Sequence, residues 1–440
     1  MTTSLELLLT TAVIAVVSSL ATLAVGIPFG SWLRSLSAGA ARVIGTLTLI
    51  PFLLPPLLIG LAVVGVFGEL EVDSNSGMLL VIAAHVFMNF GFIAKVYAGS
   101  SIDNEQIEAA RLDGASDGLI RRAIELPQQR PGLVSASLLV ALYCATSFGL
   151  VLTLGLGQVK TLETEIAIAT LQELDLAKAA AYAALQTLLT FAMFWAARRF
   201  QGTPSALDQI NHSLLKANRL ERLLGPALAL LAGLAFLTLI SRAFSGAGFQ
   251  TNLANLATKG ERELLNITVL HASANSLRNA LVVVLLTLPI AYLLASRKRA
   301  TGWVLVPIGI SPVVIGLATL ALAGYLPRAL TGSWLLLPVI QVLFALPVAY
   351  QILRPAHLSI DKELIEASRL DGAGRWHRAT WIELPLIKKS VALAMAFAAM
   401  VSIGEFGAAS NAFNDFIKRN PKSGYVVPSL FWVGNAQYAN

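Results

Sequence analysis

Residues 108–132 read EAARLDGASDGLIRRAIELPQQRPG, and residues 366–390 read EASRLDGAGRWHRATWIELPLIKKS. Aligned without gaps at an offset of 258, eleven of the 25 positions are identical. The shared residues are mostly Glu, Arg, Asp, Gly and Pro, so a chance likeness between apolar stretches does not account for them. The match extends outward from this core. Pro56 to Ala62 (PLLIGLA) pairs with Pro312 to Ala318 (PVVIGLA), and Phe148-Gly149 pairs with Phe406-Gly407. One module is written twice, and a repeat of this kind constrains the fold before any single element does.

Composition says what the module is made of. The 440 residues are 56% hydrophobic and 13% charged, with a mean hydropathy of +0.71. Soluble domains carry about 25% charged residues. Here 32 basic and 25 acidic residues are too few to cover a soluble surface, which excludes an ordinary cytosolic enzyme. High hydrophobicity equally excludes a disordered chain. The single cysteine, Cys144, excludes an intrachain disulfide framework and argues against a thiolate metal cluster. A bilayer core needs roughly 20 apolar residues per helix, and that window predicts about ten spans. They fall near residues 5–29, 42–67, 78–98, 132–155, 177–197, 222–243, 276–296, 303–323, 333–353 and 389–409. The first is too long in its apolar stretch, and carries no Lys or Arg before Arg34, to be a secretory signal. The predicted fold class is therefore all-α, a polytopic membrane helix bundle built from two repeats.

Lys and Arg are retained on cytoplasmic loops, so their distribution sets the orientation. With the N-terminus outside, 22 of the 32 basic residues fall inside, and acidic residues such as Glu69, Glu71 and Asp73 fall outside. The net charge of +7 is thus a topology signal and does not point to nucleic acid. Both copies of the long motif then lie in cytoplasmic loops between the third and fourth spans of their halves. The repeats share an orientation and are expected to be related by an axis along the membrane normal. The boundaries that follow are a first module over 1–198 with its loop at about 104–127, and a second over 276–440 with its loop at about 362–385. Between them runs a link, 199–275, whose extra helix near 222–243 keeps the second module the same way up.

The loop has a readable local chemistry. Glu108, Ala109, Ala110, Arg111 and Leu112 favour helix. Gly114 offers a low-cost break at a helix C-terminus. A second short helix is expected from about Ser116 to Glu125, and Pro127 is expected to end it and turn the chain back toward the next span. The second copy repeats this with Glu366, Gly372 and Pro385. A tight connector with solvated charges would suffice for one such loop. Connectors need not preserve surface charge between halves, however, whereas docking to a two-fold partner requires two equivalent surfaces.

The pattern Glu-Ala-Ala, three residues, Gly, nine residues, Ile-x-Leu-Pro resembles the cytoplasmic motif of the membrane subunits of ABC importers. Glu108, Ala109, Ala110, Gly114, Ile124, Leu126 and Pro127 match it in the first copy. Glu366, Ala367, Gly372, Ile382, Leu384 and Pro385 match it in the second, with Ser368 in place of the third small residue. Two copies in one chain resemble the fused permeases of thiamine and ferric-iron importers. The segments Ser147-Phe148-Gly149, Thr161-Leu162-Glu163 and Ser402 to Gly407 look like that subgroup. The resemblance implies a type I importer permease fold in a bacterial cytoplasmic (inner) membrane, crossing the lipid several times. It implies that Glu108, Ala109, Ala110, Arg111, Asp113, Gly114, Glu366, Ala367, Arg369, Asp371 and Gly372 dock two copies of a separate ABC ATPase. A periplasmic or lipoprotein solute-binding protein would deliver a small cationic solute, thiamine or ferric iron. ATP and Mg would be used by the ATPase, with no cofactor on this chain. Fused members have six spans per half; by that measure the first half is expected to lack a leading span and the second its last helix. The alternatives are a gradient-driven secondary transporter and a truncated permease that does not transport.

Other chemistries lack their signatures. No Gly-x-x-x-x-Gly-Lys-Ser/Thr loop, His-Glu-x-x-His or Gly-x-Ser-x-Gly occurs, and the histidines at 85, 212, 271, 357 and 377 show no metal spacing. Nothing argues for an enzyme. Polar groups within spans are functional candidates by default. His85 and Asn89, four apart, share a helix face and suit either a cavity lining or interhelical hydrogen bonds, the second being the simpler role. Ser147 sits with Cys144 on the fourth span, where small residues pack helices. Glu405, near the outer end of the last span, suits either an attractant for a cation or a solvated interfacial acid. His85, Asn89, Ser147 and Glu405 are the candidates for a solute pathway. Pro51, Pro55 and Pro56 are expected to kink the second span.

Overall fold

The computed structural model describes residues 3–54, 74–100, 104–155, 158–171, 173–199, 217–244, 248–258, 268–297, 302–311, 313–316 and 334–404, with isolated positions at 56, 58–60, 63, 215, 318 and 325. Among the described residues all regular structure is helical. The chain divides into two units, Met1–Phe249 with Gly309–Leu317, and Gln250–Ile308 with Ala318–Asn440.

The first unit runs α1 (Ser4–Arg34), α2 (Ala38–Leu47), α3 (Ser74–Gly99), α4 (Asn104–Leu112), α5 (Leu126–Ala145), α6 (Phe148–Leu154), α7 (Leu162–Leu171), α8 (Leu176–Arg199) and α9 (Arg219–Phe244). A capping box starts α1: Thr3 Oγ1 accepts from the Glu6 N–H at 3.2 Å, and Glu6 accepts from the Thr3 N–H at 2.8 Å. The helix is apolar outside and mixed inside. Leu5, Leu9, Val13, Val16 and Leu20 are exposed, while Thr11, Ser18, Ser19 and Thr22 are buried. That inversion is what lipid demands, since tails solvate leucine as well as another helix does. The buried hydroxyls bond across helices: Ser19 Oγ donates to the Ser137 carbonyl at 2.6 Å, and Thr11 Oγ1 accepts from the Leu162 N–H at 3.0 Å. Each such bond contributes about 0.6 kcal/mol in a membrane, so close packing carries most of the stability. Phe29, Trp32, Leu33, Phe90 and Ala94 form one core cluster between α1 and α3, with Phe29 and Phe90 edge-on at 5.2 Å. Val313 and Val314 pack with Leu7, Leu162 and Tyr182 in another.

The second unit contains α10 (Val269–Ala295), α11 (Leu336–Leu358), α12 (Lys362–Leu370) and α13 (Lys388–Gly404). Val283 and Val284 of α10 meet Val342 and Ala345 of α11 and Ala398 of α13 in its core. Gln341 donates to the Ser402 carbonyl at 3.0 Å and accepts from Ser402 Oγ at 2.7 Å, joining α11 to α13.

Among the described residues six helices are long and apolar enough to cross a membrane: α1, α3, α8, α9, α10 and α11. Two bent pairs raise the number to as many as eight, Asp117–Ala145 with Phe148–Leu154 and Arg375–Leu386 with Lys388–Ile403. The expected span at 132–155 is the first of these, broken by 57° around Thr146 and Ser147. The expected spans at 42–67 and 303–323, and the end of that at 389–409, lie partly outside the described residues; so do Pro55 and Glu405.

Candidate functional site

The two copies of the long motif fold alike. Helices α4 and α12, the short helices Asp117–Ile120 and Arg375–Arg378, and the π-turns Arg121–Glu125 and Ala379–Glu383 all keep the 258-residue offset. Gly114 and Gly372 end α4 and α12 with φ of +82° and +79°. In each the terminal carbonyls are closed by the same pair of bonds, Ala115 N to Ala110 O at 2.9 Å with Gly114 N to Arg111 O at 3.0 Å, and Ala373 N to Ser368 O at 3.0 Å with Gly372 N to Arg369 O at 3.1 Å. A left-handed residue is needed there, and glycine supplies it at no steric cost.

The helix that this break terminates presents one face outward. Glu108, Ala109, Arg111, Leu112, Asp113 and Gly114 are exposed, as are Glu366, Ala367, Arg369, Leu370, Asp371 and Gly372. Ala110 is half-buried against Ile107, Ile120 and Leu215, and Ser368, at the corresponding position, is buried. Leu112 and Leu370 are each 89% exposed, an apolar side chain held in the open at the same place in both copies. Arg111 is tied to Asp117 at 2.9 Å across the turn.

The expected turn at Pro127 is corrected. The helix runs on from Asp117 to Ala145, with Pro127 in the first turn of α5. A proline lacks an N–H and clashes with the carbonyl four residues back. Widening the preceding turn relieves this: the Leu126 N–H bonds to Arg121 O, five residues back, and the Leu384 N–H likewise to Ala379 O. Only the second copy bends sharply, by 86°, and at Ile387, two residues beyond its proline.

Each π-turn ends in a buried carboxylate, Glu125 or Glu383. Glu125 Oε1 accepts from Arg34 Nη1 at 2.7 Å, and Arg121 Nε lies 3.3 Å from Oε2. Arg34, the last residue of α1, also donates to the carbonyls of Tyr97, Ala98 and Ser100, closing the end of α3. Glu383 accepts from the Tyr292 hydroxyl, in the last turn of α10, and from Arg378 Nε at 2.9 Å, with His357 Nδ1 at 3.8 Å. In both units, therefore, the loop is clamped by one acid to the C-terminal end of the unit's first long helix.

Two stretches of the chain, residues 26–202 and 273–433, match the family described as "Binding-protein-dependent transport system inner membrane component". The chain belongs to that family. It is an inner-membrane transport permease and not an enzyme, and the family works with a solute-binding protein and an ATPase. The permease is 26% identical over 428 residues to the thiamine transport system permease protein ThiP of Brucella abortus (strain 2308), covering 89% of this chain and 76% of that one. Against ThiP of Escherichia coli (strain K12) it is 27% identical over 382 residues, 79% of this chain and 67% of that one. A putative ABC transporter permease protein, ORF1 of Streptomyces antibioticus, is 34% identical over 151 residues, 31% of this chain and 62% of its own. No solved structure matches significantly.

Within the permease three of the four membrane candidates, His85, Asn89 and Ser147, are buried in the first unit. His85 and Asn89 are fully buried on α3; His85 Nδ1 meets Ser18 Oγ of α1 at 3.1 Å, and Asn89 Nδ2 donates to the His85 carbonyl at 2.7 Å. Ser147 is buried at the break between α5 and α6. The residues that sequence reasoning passed over are Leu112, Leu370, Glu125 and Glu383. All four stand among the eleven identities of the repeat, the last two at the unspecified position of Ile-x-Leu-Pro.

Proposed function

We propose that this permease is the translocation subunit of an ATP-driven importer, and that two ATPase copies dock on its loops at 104–127 and 362–385. The observation that carries the reading is the duplicated outward face of α4 and α12, charged at Glu108 and Glu366 and apolar at Leu112 and Leu370. An exposed leucine flanked by charge is costly to keep in water and favourable to bury against a partner. The N-terminus lies outside in this reading, so both loops face the cytoplasm and the ATPase. ATP and Mg are held by the ATPase, and the permease does no covalent chemistry.

ATP binding closes the ATPase pair, the loops move with it, and the clamps at Glu125 and Glu383 pass that motion to α1 and α10. Hydrolysis then resets the inward-facing state. The two ends are linked as coupled equilibria. Thiamine is the cargo that this reading favours, supported by relatives named as thiamine permeases that align along most of the chain; ferric iron is its competitor. His85, Asn89, Ser147 and Glu405 are proposed to border the solute's route.

The test is co-purification. Glu108→Lys with Glu366→Lys is expected to strip the ATPase from the permease while membrane insertion stays intact. Unchanged co-purification and unchanged thiamine uptake into proteoliposomes would end the docking assignment. Uptake driven by an ion gradient without the ATPase would replace it with a secondary carrier.

A further inference from the structure

The link between the modules does more for the first loop than connect it. Leu215 is buried against Ile107 and Ile120, inside the small core of that loop. Asn218 and Glu221 then close a capping box on α9, with the Glu221 N–H to Asn218 Oδ1 at 2.8 Å and the Asn218 N–H to Glu221 Oε2 at 2.7 Å. The same carboxylate reaches the loop. Its Oε1 accepts from Arg121 Nη1 at 2.5 Å, and its Oε2 accepts from Ser31 Oγ at 2.9 Å; Arg121 Nη2 in turn lies 3.2 Å from that hydroxyl. One turn further, Gly225 lies on the Trp32 ring so closely that a Cβ would stand 2.2 Å from it. Ala232 continues the seam against Phe29 and Trp32.

Capping alone does not explain this placement, because a capping glutamate works equally well in water. Charge balance does. Arg34 and Arg121 are two cations, and Glu125 is one anion; the fourth member, Glu221, makes these four groups neutral. Burying an unmatched charge is strongly unfavourable, so the carboxylate that α9 brings to Arg121 favours the seated arrangement. The second clamp differs in kind. The position matching Arg121 is Ala379, and the donor from the first helix of the unit is a neutral phenol, Tyr292, so Glu383 meets one guanidinium, Arg378, with the His357 imidazole at 3.8 Å.

We infer that Glu221 of α9 is a positioning residue for the first docking loop, making the link helix part of the coupling machinery of the first half and leaving the two loops unequal. This rests on the proposed docking. In the complete complex with ATPase and binding protein, Glu221→Gln is expected to leave ATPase co-purification unchanged. It is expected to lower the stimulation of ATP hydrolysis by thiamine-loaded binding protein about fivefold or more, the lower range of measured couplings. Glu221→Asp is expected to recover part of the loss. Ser31→Ala, which removes two hydrogen bonds and no charge, is expected to shift stimulation the same way by less, and serves if Glu221→Gln fails to insert. Stimulation at the parental level in Glu221→Gln, or in Ser31→Ala where only that variant inserts, overturns the inference. Failure of the docking reading shows separately, as intact co-purification in the Glu108→Lys, Glu366→Lys pair.

Discussion

A carboxylate withdrawn from water must be met at close range, and the two that end the π-turns are met differently. Glu125 faces Arg34 and Arg121, both largely buried; Glu383 faces Arg378, a phenol and an imidazole. Removing Glu125 takes the carboxylate from two guanidinium groups at once, Arg34 and Arg121. Breaking a buried pair in this way costs about 3–5 kcal/mol. Removing Glu383 strands one guanidinium where removing Glu125 strands two, a loss of about 1–3 kcal/mol. Glu125→Ala is therefore expected to lower the unfolding midpoint of the detergent-purified permease clearly more than Glu383→Ala, and the reverse order would refute the difference between the clamps. The acid itself was legible in the sequence as one of the repeated identities. Its partner was not, because Arg34 lies 91 residues upstream and is brought to Glu125 only by the packing of α1 on α3 and α5.

At the scale of elements, what was legible is what local chemistry decides. Helix α4 and its glycine stop follow from propensity and the left-handed requirement, and both copies show it. What misled was the proline rule applied in isolation: a π-turn supplies a way through Pro127 that a count of i to i−4 bonds does not foresee. Helix contacts are similarly invisible until the elements meet. Gly91 of α3 is an example, since a Cβ there would stand 1.9 Å from the Thr48 carbonyl oxygen, a backbone atom with no rotamer to yield. Gly91→Ala is expected to destabilise the permease by about 1–3 kcal/mol through overpacking. Gly233 of α9 meets nothing within 4 Å, and Gly233→Ala is expected to gain about 0.5–1 kcal/mol from helix propensity. Thermal unfolding of the two variants side by side separates contact from propensity; equal shifts would mean that α3 and the Thr48 turn do not meet this closely.

For the molecule as a whole, the duplication is what makes the fold and the docking face readable together. Spans and repeats announce themselves through composition, and the family match falls on both modules. The long-range charge network and the part played by α9 do not, since they join residues up to 190 positions apart. Two loops on one chain also make a quantitative claim about binding. Burying an exposed leucine is worth about 1.5–3 kcal/mol, so Leu112→Ser alone would weaken a single contact by about 10- to 150-fold. If the two ATPase copies dock as a pair, each also holds the other in place, and linked attachment raises retention by about 10²–10⁴-fold over one site. Disabling a single loop with Leu112→Glu is then expected to release both copies on dilution, with Leu370→Glu doing the same. The decisive measurement is the ATPase-to-permease ratio against time after dilution. Paired docking predicts loss of both copies at one accelerated rate, whereas a ratio that halves and then decays at the parental rate would show two independent sites.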